Sequence, residues 1–465
     1  MARIVFVGVG DVELTRRVVS DLLLAPSLRG ELEIVLHDEN PGQLATAEAL
    51  VRALDAEAGS VAAIVTCPSR RRALDGADFV VGHIDVGGFE ATLRDFEIPH
   101  RYGLRQTIGD TIGIGGIFRG LRTIPVFVEL GREMAELCPD AWLLSCSDPM
   151  AMTGWAVQEA TGFTRFAGVC HAVCDTHAYL ADLVGRGLDE VTFLSAGLNH
   201  QSFVLRFEAE GRSLYPDLDE VLEADPELRR HVRVELYRRF GHFPTQSSEH
   251  AAEYVPWFMR HSEETARLGV RPEEYLRRVG HSLHLYEETR RALSAGRSLL
   301  VRWQHQEPAA AALLAMLTGQ EKEVYVNVPN HGLIGNLPEG CCVEVPALVD
   351  ADGVHPRPVG ELPIQLVALN RTFLNVVELT VRAVLDGDRR HVHHAAMLDP
   401  NTAATLPLPA IEALCDELIE AHGDLLPEGV RPAGSTAGSR TGSTVGSTVG
   451  SRTESRTESR AGSRP

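Results

Sequence analysis

A cysteine and a histidine of this chain offer the donor types that suit a transition-metal ion. Cys170 ends the segment GVC and His200 ends the segment GLNH, and each follows an apolar run typical of a buried strand. Thiolate sulfur with imidazole nitrogen favours such metals. With only two ligands visible, substrate oxygens and water would complete the shell, as a catalytic metal requires. By spacing alone the pairing is a weak signal, because most Cys and His residues are ordinary core or surface residues.

Two further side chains have chemistry suited to proton transfer or substrate binding. Tyr254 follows His250 in SSEHAAEYVPWFMR at a spacing that lets both share one helical face, although a structural tyrosine is the alternative. Asp110 lies in the glycine-rich segment GLRQTIGDTIGIGGIFRG, which we interpret as a loop that could approach phosphate or sugar closely. A mobile lid or an interface loop is an equally good interpretation.

The N-terminus carries part of a dinucleotide-binding fingerprint. Gly8 and Gly10 follow the apolar run RIVFV, and Asp38 stands at the end of the next predicted strand. The third glycine is absent, because the chain has Glu13 at that position. Asp38 favours NAD over NADP, since a carboxylate accepts hydrogen bonds from a ribose diol and repels a 2′-phosphate. The alternative for Asp38 is a helix N-cap.

The elements that would position these residues alternate between strand and helix. Apolar runs at 3–7, 33–36 and 166–169 are separated by helical segments, which predicts an α/β fold with a Rossmann-like doubly wound parallel sheet. In open sheets of this kind, ligands bind at the carboxyl ends of the strands. Cys170, which directly follows one predicted strand, is therefore expected on the ligand side.

Changes in composition predict three parts. Residues 1–190 form the predicted NAD-binding Rossmann-like domain, and residues 191–431 form a second, mixed α+β domain for substrate, metal and oligomerisation. Residues 432–465 are rich in Gly, Ser, Thr and Arg with almost nothing apolar to bury, which predicts a disordered tail.

Composition excludes several classes of partner. The chain has 465 residues, 44% of them hydrophobic and 23% charged, as in ordinary globular proteins. A formal net charge of -20 disfavours nucleic acid and anionic lipid, which attract clustered Lys and Arg. No apolar run has the length of a bilayer-spanning helix, and no export signal is recognised. We expect a cytoplasmic protein with reduced cysteines and a small-molecule substrate.

Several long strings of the chain resemble glycoside hydrolase family four, in particular its α-galactosidase-like branch that acts on unphosphorylated sugars. The resemblance runs from residue 3 to about residue 427 and leaves only the tail outside. The strings are DFEIPHRYGLRQTIGDTIGIGGIFRGLRTIPV, CPDAWLL, GVCH, GLNH, SSEHAAEYVPWF, EVYVNVPNHGLIGNLPEG and NRTFLNVVELTVRAVLDGD.

This resemblance implies a hydrolase that uses NAD catalytically, through transient oxidation at sugar C3, proton removal at C2, elimination of the aglycone, addition of water and return of the hydride. Cys170 and His200 match the family's metal-ligand positions, and Mn²⁺ is the family's usual ion. Tyr254 matches the family's proposed base. His171, which follows the metal cysteine, is an acid candidate. The resemblance also implies a homodimer or homotetramer.

Three departures from the family pattern bear on function. Asp148 stands where the family commonly has an asparagine that binds sugar hydroxyls, so it is a candidate substrate contact or an extra metal ligand. Ala172 replaces a serine usual in galactosidases. Asp11 replaces a serine near the expected pyrophosphate, and it should weaken NAD binding unless its carboxylate points away.

Two alternatives to a glycosidase remain open at this point. An ordinary NAD-dependent dehydrogenase of sugars or hydroxy acids could use the same N-terminal domain. A non-catalytic sugar- or nucleotide-sensing protein is consistent with Asp11 and Asp148, although the retained Cys170, His200 and Tyr254 argue against it.

Overall fold

The computed structural model describes residues 1–300 and 306–432. The predicted tail therefore lies outside the described residues, apart from Pro432. The strands are β1 Ala2–Val7, β2 Leu32–His37, β3 Ala63–Thr66, β4 Phe79–Gly82, β5 Trp142–Ser145, β6 Phe166–Val169, β7 Thr192–Leu198, β8 Gln201–Ala209, β9 Arg212–Ser213, β10 Lys322–Pro329, β11 Cys342–Asp350 and β12 Gly353–Pro356.

The helices run between the strands and flank them. They are α1 Val12–Leu23, α2 Pro41–Ala58, α3 Arg70–Leu74, α4 Gly88–Arg101, α5 Gly113–Leu137, α6 Met150–Thr161, α7 Ala172–Leu183, α8 Tyr215–Ala224, α9 Val232–Phe240, α10 Ser248–Glu253, α11 Ser262–Arg267, α12 Glu274–Ser294, α13 Pro308–Thr318, α14 Ile364–Leu385, α15 Arg390–Leu398, α16 Pro400–Thr405 and α17 Leu408–His422. No helix of the described ranges is long and apolar enough to cross a membrane.

The first six strands form a parallel sheet in the order β3-β2-β1-β4-β5-β6. Apolar side chains on β1, such as Ile4 and Val5, are completely buried because helices cover both faces of the sheet. The strand order reverses beside β1, whose neighbours are β2 and β4. This topological switch point is where open α/β sheets bind ligands. The predicted Rossmann-like α/β fold is confirmed.

The sheet continues beyond β6 with antiparallel strands. β10 pairs with β6, β11 pairs with β10, and β7 joins β11 where Gly197 faces Glu344. β7 and β8 form a hairpin whose two-residue turn is Asn199-His200. One continuous sheet thus carries both the end of β6 and this turn. The division of the chain at residue 190 stays a prediction.

The glycine-rich segment around Asp110 differs from the expected loop. It is a loop only as far as Ile112, because α5 begins at Gly113. A Cβ on Gly115 would lie 2.4 Å from the carbonyl oxygen of Gly109, so this glycine lets the first turn of α5 pack directly on the loop. The segment is buried from residue 106 to residue 118 and forms no exposed lid. Gly115 thus serves the close packing of backbone on backbone.

Candidate active site

The structure brings the predicted cysteine and histidine together. Cys170 directly follows β6 and His200 lies in the β7–β8 turn, and Cys170 Sγ is 3.5 Å from His200 Nε2. Both residues are buried. His200 has a φ of 66°, a left-handed conformation that is uncommon for a residue with a side chain. Such backbone strain is concentrated at functional sites, where surrounding structure holds it in place.

Other potential ligands surround His200. The donor atoms of Asp110, His200 and His250 all lie within 4.8 Å of one another. Asp148 Oδ1 is 3.8 Å from His200 Nε2. The sequence placed His250 beside Tyr254 on a helix but did not identify it as a donor. Its only local signal was the four-residue spacing from Tyr254.

Three buried polar atoms at this cluster have no hydrogen-bond partner among the described residues: Asp148 Oδ1, His250 Nε2 and Tyr254 Oη. Buried polar groups in folded proteins are nearly always bonded. A ligand that supplies the missing partners would explain all three. The available donor set of thiol, imidazole and carboxylate fits a divalent transition metal.

Two hydroxyl groups orient the imidazoles. Thr111 Oγ1 lies 2.6 Å from Asp110 Oδ1, to which it donates, and 2.7 Å from His200 Nδ1. With its proton directed to Asp110, Thr111 accepts the Nδ1 proton of His200. Ser247 Oγ lies 3.0 Å from His250 Nδ1 in the same way. Both rings can therefore present a lone pair on Nε2, which is how such partners prepare histidine for a metal.

The electrostatics of the cluster favour a bound cation. Burial would raise the pKa of Asp110, but the neighbouring imidazoles of His250 and His200 hold it below the usual range. Burial lowers the pKa of His250 to about 4, so this imidazole is neutral at pH 7. Burial and the charge of Asp110 raise the pKa of Asp148. An anionic carboxylate beside the neutral imidazole of His250 is a suitable environment for a metal ion.

Tyr254 follows α10 immediately and lies against the same cluster. Its ring is 6.1 Å from that of His250 and packs edge-on against Phe373. Burial, followed by the charges of Asp110 and Glu253, raises the pKa of the Tyr254 phenol well above its usual value. The phenol can lose its proton only if a positive charge nearby offsets these effects.

Arg119 forms hydrogen bonds that hold the loop carrying Asp148 in place. Its Nε donates to the backbone oxygen of Asp148 at 3.1 Å, and another guanidinium nitrogen donates to Tyr275 Oη at 2.8 Å. A third nitrogen lies 3.5 Å from Asp85. Arg119 belongs to the glycine-rich segment that we expected, from the sequence, to approach phosphate or sugar. In the structure its guanidinium is used to hold the loop after β5.

A cavity of about 1900 Å³ opens above the carboxyl ends of the parallel strands. Pockets that bind one drug-sized ligand measure ~300–1000 Å³, so this cavity has room for a dinucleotide and a sugar together. Predicted residues from four strand ends and from the loop before α5 line it: Gly8, Gly10, Asp38, Asp148, His171 and, from the loop, Asp110. The His171 side chain is 64% exposed, with Asp175 3.8 Å away.

The acidic residues near the glycine turn are both bonded to backbone. Asp38 accepts from the N–H of Val9 at 2.9 Å and of Asn40 at 2.8 Å. The N-cap of α2 is Asn40, so the N-cap alternative for Asp38 is wrong. Asp11 is itself the N-cap of α1 and accepts from two backbone N–H groups of the first turn. Its carboxylate stays at the helix end, where dinucleotide folds place a pyrophosphate.

Sequence comparison identifies a family over most of the chain. The family model described as a family 4 glycosyl hydrolase matches residues 3–186, and the model of that family's C-terminal domain matches residues 195–402. An alpha-galactosidase of Bacillus subtilis (strain 168) is 38% identical over 433 residues, which cover 92% of this chain and 100% of that protein.

Solved structures show the same fold. A Bacillus subtilis structure provisionally described as a glucosidase matches with a TM-score of 0.83 at 23% identity, covering 90% of this chain and 99% of that one. A 6-phospho-alpha-glucosidase from gut microorganisms, solved in complex with NAD and Mn²⁺, matches with a TM-score of 0.77 at 18% identity, covering 91% and 99%. At these identities the likeness concerns the fold alone.

Proposed function

Because this chain belongs to family 4 of the glycosyl hydrolases, we propose that it is an NAD- and Mn²⁺-dependent enzyme that hydrolyses unphosphorylated α-galactosides or related α-glycosides. The observation that carries the proposal is the cluster of unpaired buried atoms beside Cys170 and His200, one of which belongs to Asp148, a residue that also lines the cavity at the switch point of the sheet. The similarity to a curated alpha-galactosidase supports the substrate class.

The residues of this buried cluster fit a divalent metal. Cys170 Sγ and His200 Nε2 would hold it, and Asp148, His250 and Asp110 are close enough to contribute. When bound, the metal supplies a Lewis acid for the sugar oxygens and NAD supplies a reversible hydride acceptor. A thiol ligand also requires a reduced cysteine.

The turn after β1 and the end of β2 would bind the dinucleotide. Gly8 and Gly10 form the turn, and Asp38 faces the same cavity. Asp38 already accepts two backbone N–H bonds, but a carboxylate offers about four acceptor positions, which leaves capacity for a ribose diol. These contacts would favour NAD over NADP.

The remaining residues would handle the sugar and its protons. Tyr254 Oη would accept the C2 proton, since it is buried at the cluster without a partner among the described residues. Asp110 and Asp148 would accept hydrogen bonds from sugar hydroxyls. His171, whose exposed ring lies at the cavity, would donate a proton to the departing glycosidic oxygen.

We also propose that the chain forms a homodimer or homotetramer and works in the cytoplasm, with no nucleic-acid or membrane partner. Trp257 is 45% exposed and stacks on Phe240, while Ile364 on the adjacent α14 is 75% exposed, which supports a covered apolar surface. All eight cysteines are free thiols, which supports a reducing compartment. Light scattering after size exclusion would measure the oligomeric state.

A panel of nitrophenyl glycosides tests the function directly. With NAD⁺, Mn²⁺ and a reductant, the glycosidase should release nitrophenol from α-glycosides without stoichiometric NADH. Steady growth of NADH absorbance would favour a dehydrogenase instead. Binding of NAD⁺ by calorimetry without turnover across α- and β-glycosides would favour a sensing protein.

Replacing the metal cysteine tests the ligand assignment. Cys170→Ser should abolish Mn²⁺-dependent hydrolysis and weaken Mn²⁺ binding in calorimetry, because a serine hydroxyl is not deprotonated as a thiolate ligand is. Cys174→Ser is the matched control, because Cys174 is exposed on the next helix. A fully active Cys170→Ser protein would refute the assignment.

A further inference from the structure

Three consecutive backbone N–H groups of the loop before α5 converge on one buried carboxylate. Glu253 Oε2 accepts from Thr107 N at 2.8 Å and from Ile108 N at 3.2 Å, and Oε1 accepts from Gly109 N at 2.8 Å. Glu253 is only 3% exposed. Converging backbone N–H groups of this kind form an anion-binding concavity, and here the chain fills it with its own side chain.

The loop is fastened to α10 at a second point. The hydroxyl of Thr107 donates to the backbone oxygen of Glu249 at 2.7 Å, one helical turn before Glu253. The loop and α10 therefore form one hydrogen-bonded unit. The residues that follow the fastened part are Asp110 and Thr111.

Those two residues contact the imidazoles of the candidate site. Asp110 Oδ1 is 3.7 Å from His250 Nε2, and Thr111 Oγ1 is 2.7 Å from His200 Nδ1. The position of the backbone at residues 107–109 thus sets where both side chains meet their histidines. A hydroxyl that accepts from Nδ1, as Thr111 can from His200, orients a metal-binding histidine and raises its affinity for the metal.

We infer that Glu253 is a positioning residue, which holds the loop at residues 107–109 so that Thr111 orients His200 and the Asp110 carboxylate lies beside His250. Glu253 does not itself reach the cavity, because its two oxygens are used by backbone N–H groups and its side chain is buried. Glu253 therefore affects the reaction only by holding the loop at residues 107–109 in position. The inference depends on the proposed function only in the choice of Mn²⁺ as a probe.

The variant Glu253→Gln tests this role with little change in size. Its amide can accept through one oxygen only, and its NH₂ group would face a backbone donor. We expect the dissociation constant for Mn²⁺, measured by calorimetry without substrate, to rise by about tenfold or more. The matched control is Glu249→Gln on the same helix, whose side chain accepts none of the three N–H groups and which should bind Mn²⁺ as the wild type does.

A second readout separates this inference from the proposed function. In metal-free protein labelled with ¹⁵N-histidine, Glu253→Gln should shift the ring signals of His200 and His250, whereas Glu249→Gln should not. The two signals are identified by their loss in His200→Gln and His250→Gln. If the wild type binds no Mn²⁺, the proposed metal site fails while these signals still decide the role of Glu253.

A further variant covers the case in which Glu253→Gln does not fold. Thr111→Val removes the hydroxyl next to His200 and nearly keeps the side-chain shape, so it should reproduce the loss of Mn²⁺ affinity. Unchanged Mn²⁺ affinity in Thr111→Val, or unchanged histidine signals and affinity in a folded Glu253→Gln protein, would overturn the inference.

Discussion

At the scale of single residues, Tyr254 lies where the proposed base is needed, but its phenol is hard to deprotonate. Burial, together with the charges of Asp110 and Glu253, raises the pKa of its phenol. A cation at Cys170 and His200 would oppose these effects, because an opposite charge nearby stabilises the charged form of a group. The metal and the proposed base are thus expected to act as one unit.

The variant Tyr254→Phe removes the phenol oxygen and keeps the ring that packs on Phe373. Exchange of the sugar C2 proton with solvent deuterium should slow by about 10²–10⁴-fold, the usual contribution of a general base. Mass spectrometry of recovered substrate measures the exchange. Mn²⁺ affinity should not change, which serves as the control. Exchange at the wild-type rate would remove Tyr254 as the base.

At the scale of elements, the start of α1 combines two functions that compete. Asp11 caps the helix by accepting from Glu13 N at 3.0 Å and Leu14 N at 3.1 Å. The same carboxylate adds negative charge where a pyrophosphate would lie. Asp11 therefore bonds to the helix end and also lines the cavity.

Replacement of Asp11 separates these two effects. Asp11→Ser keeps a good cap and removes the charge, so NAD⁺ should bind about two- to fivefold more tightly in calorimetry. Asp11→Ala removes the cap and should lower the free energy of unfolding by about 1 kcal/mol. NAD⁺ affinity in Asp11→Ser no better than in the wild type would show that the charge does not act on the cofactor.

The turn between β1 and α1 depends on Gly8 for both conformation and space. Gly8 has a φ of 83°, and a Cβ there would lie 2.1 Å from the carbonyl oxygen of His83 after β4. Gly59 has a φ of 64° with no atom within 4 Å of the Cβ position. Gly59→Ala should cost about 1–2 kcal/mol in urea unfolding, from the left-handed conformation alone.

Gly8→Ala should cost clearly more than Gly59→Ala and should also weaken NAD⁺ binding, because the turn must move away from β4. Equal losses of stability for the two variants would mean that the turn can move away from His83 at no additional cost in stability. Circular dichroism in urea and calorimetry with NAD⁺ measure the two effects.

At the scale of the whole molecule, a buried ionic group fastens the C-terminal helix to the wall of the cavity. Asp95 on α4 pairs with two nitrogens of Arg122 on α5, at 3.1 and 2.7 Å, and lies 2.9 Å from His422 Nε2 at the end of α17. Arg122 and His422 also line the cavity. The end of the described chain is thus coupled to the ligand-binding region.

Removing the carboxylate leaves a buried guanidinium without its partner. Asp95→Ala should lower the free energy of unfolding by about 3–5 kcal/mol, measured by urea denaturation. The control is Glu417→Ala, which breaks the exposed contact of α17 with Arg101 on α4 and should cost no more than about 1 kcal/mol. Similar losses for both variants would contradict the special role of the buried group.

Local pattern was enough to predict the α/β fold, its strand ends and the family. Apolar runs and helical spacing are set by neighbouring residues, and long matching strings identify a family without coordinates. The pattern also pointed to Cys170 and His200. It failed for the segment after Gly113, whose glycines suggested a loop but instead allow α5 to pack on the backbone before it.

Only the tertiary structure decided which distant side chains meet. His250, Thr111 and Glu253 carry no motif of their own, and they join Asp110 and His200 because α10 and the loop before α5 are brought to the β7–β8 turn. Strand order, turn conformation and helix packing determine such contacts, and none of these is a property of a short stretch of sequence. The predicted pair Cys170 and His200 is thereby joined by Asp110 and His250, and the loop that carries Asp110 is held by hydrogen bonds to Glu253.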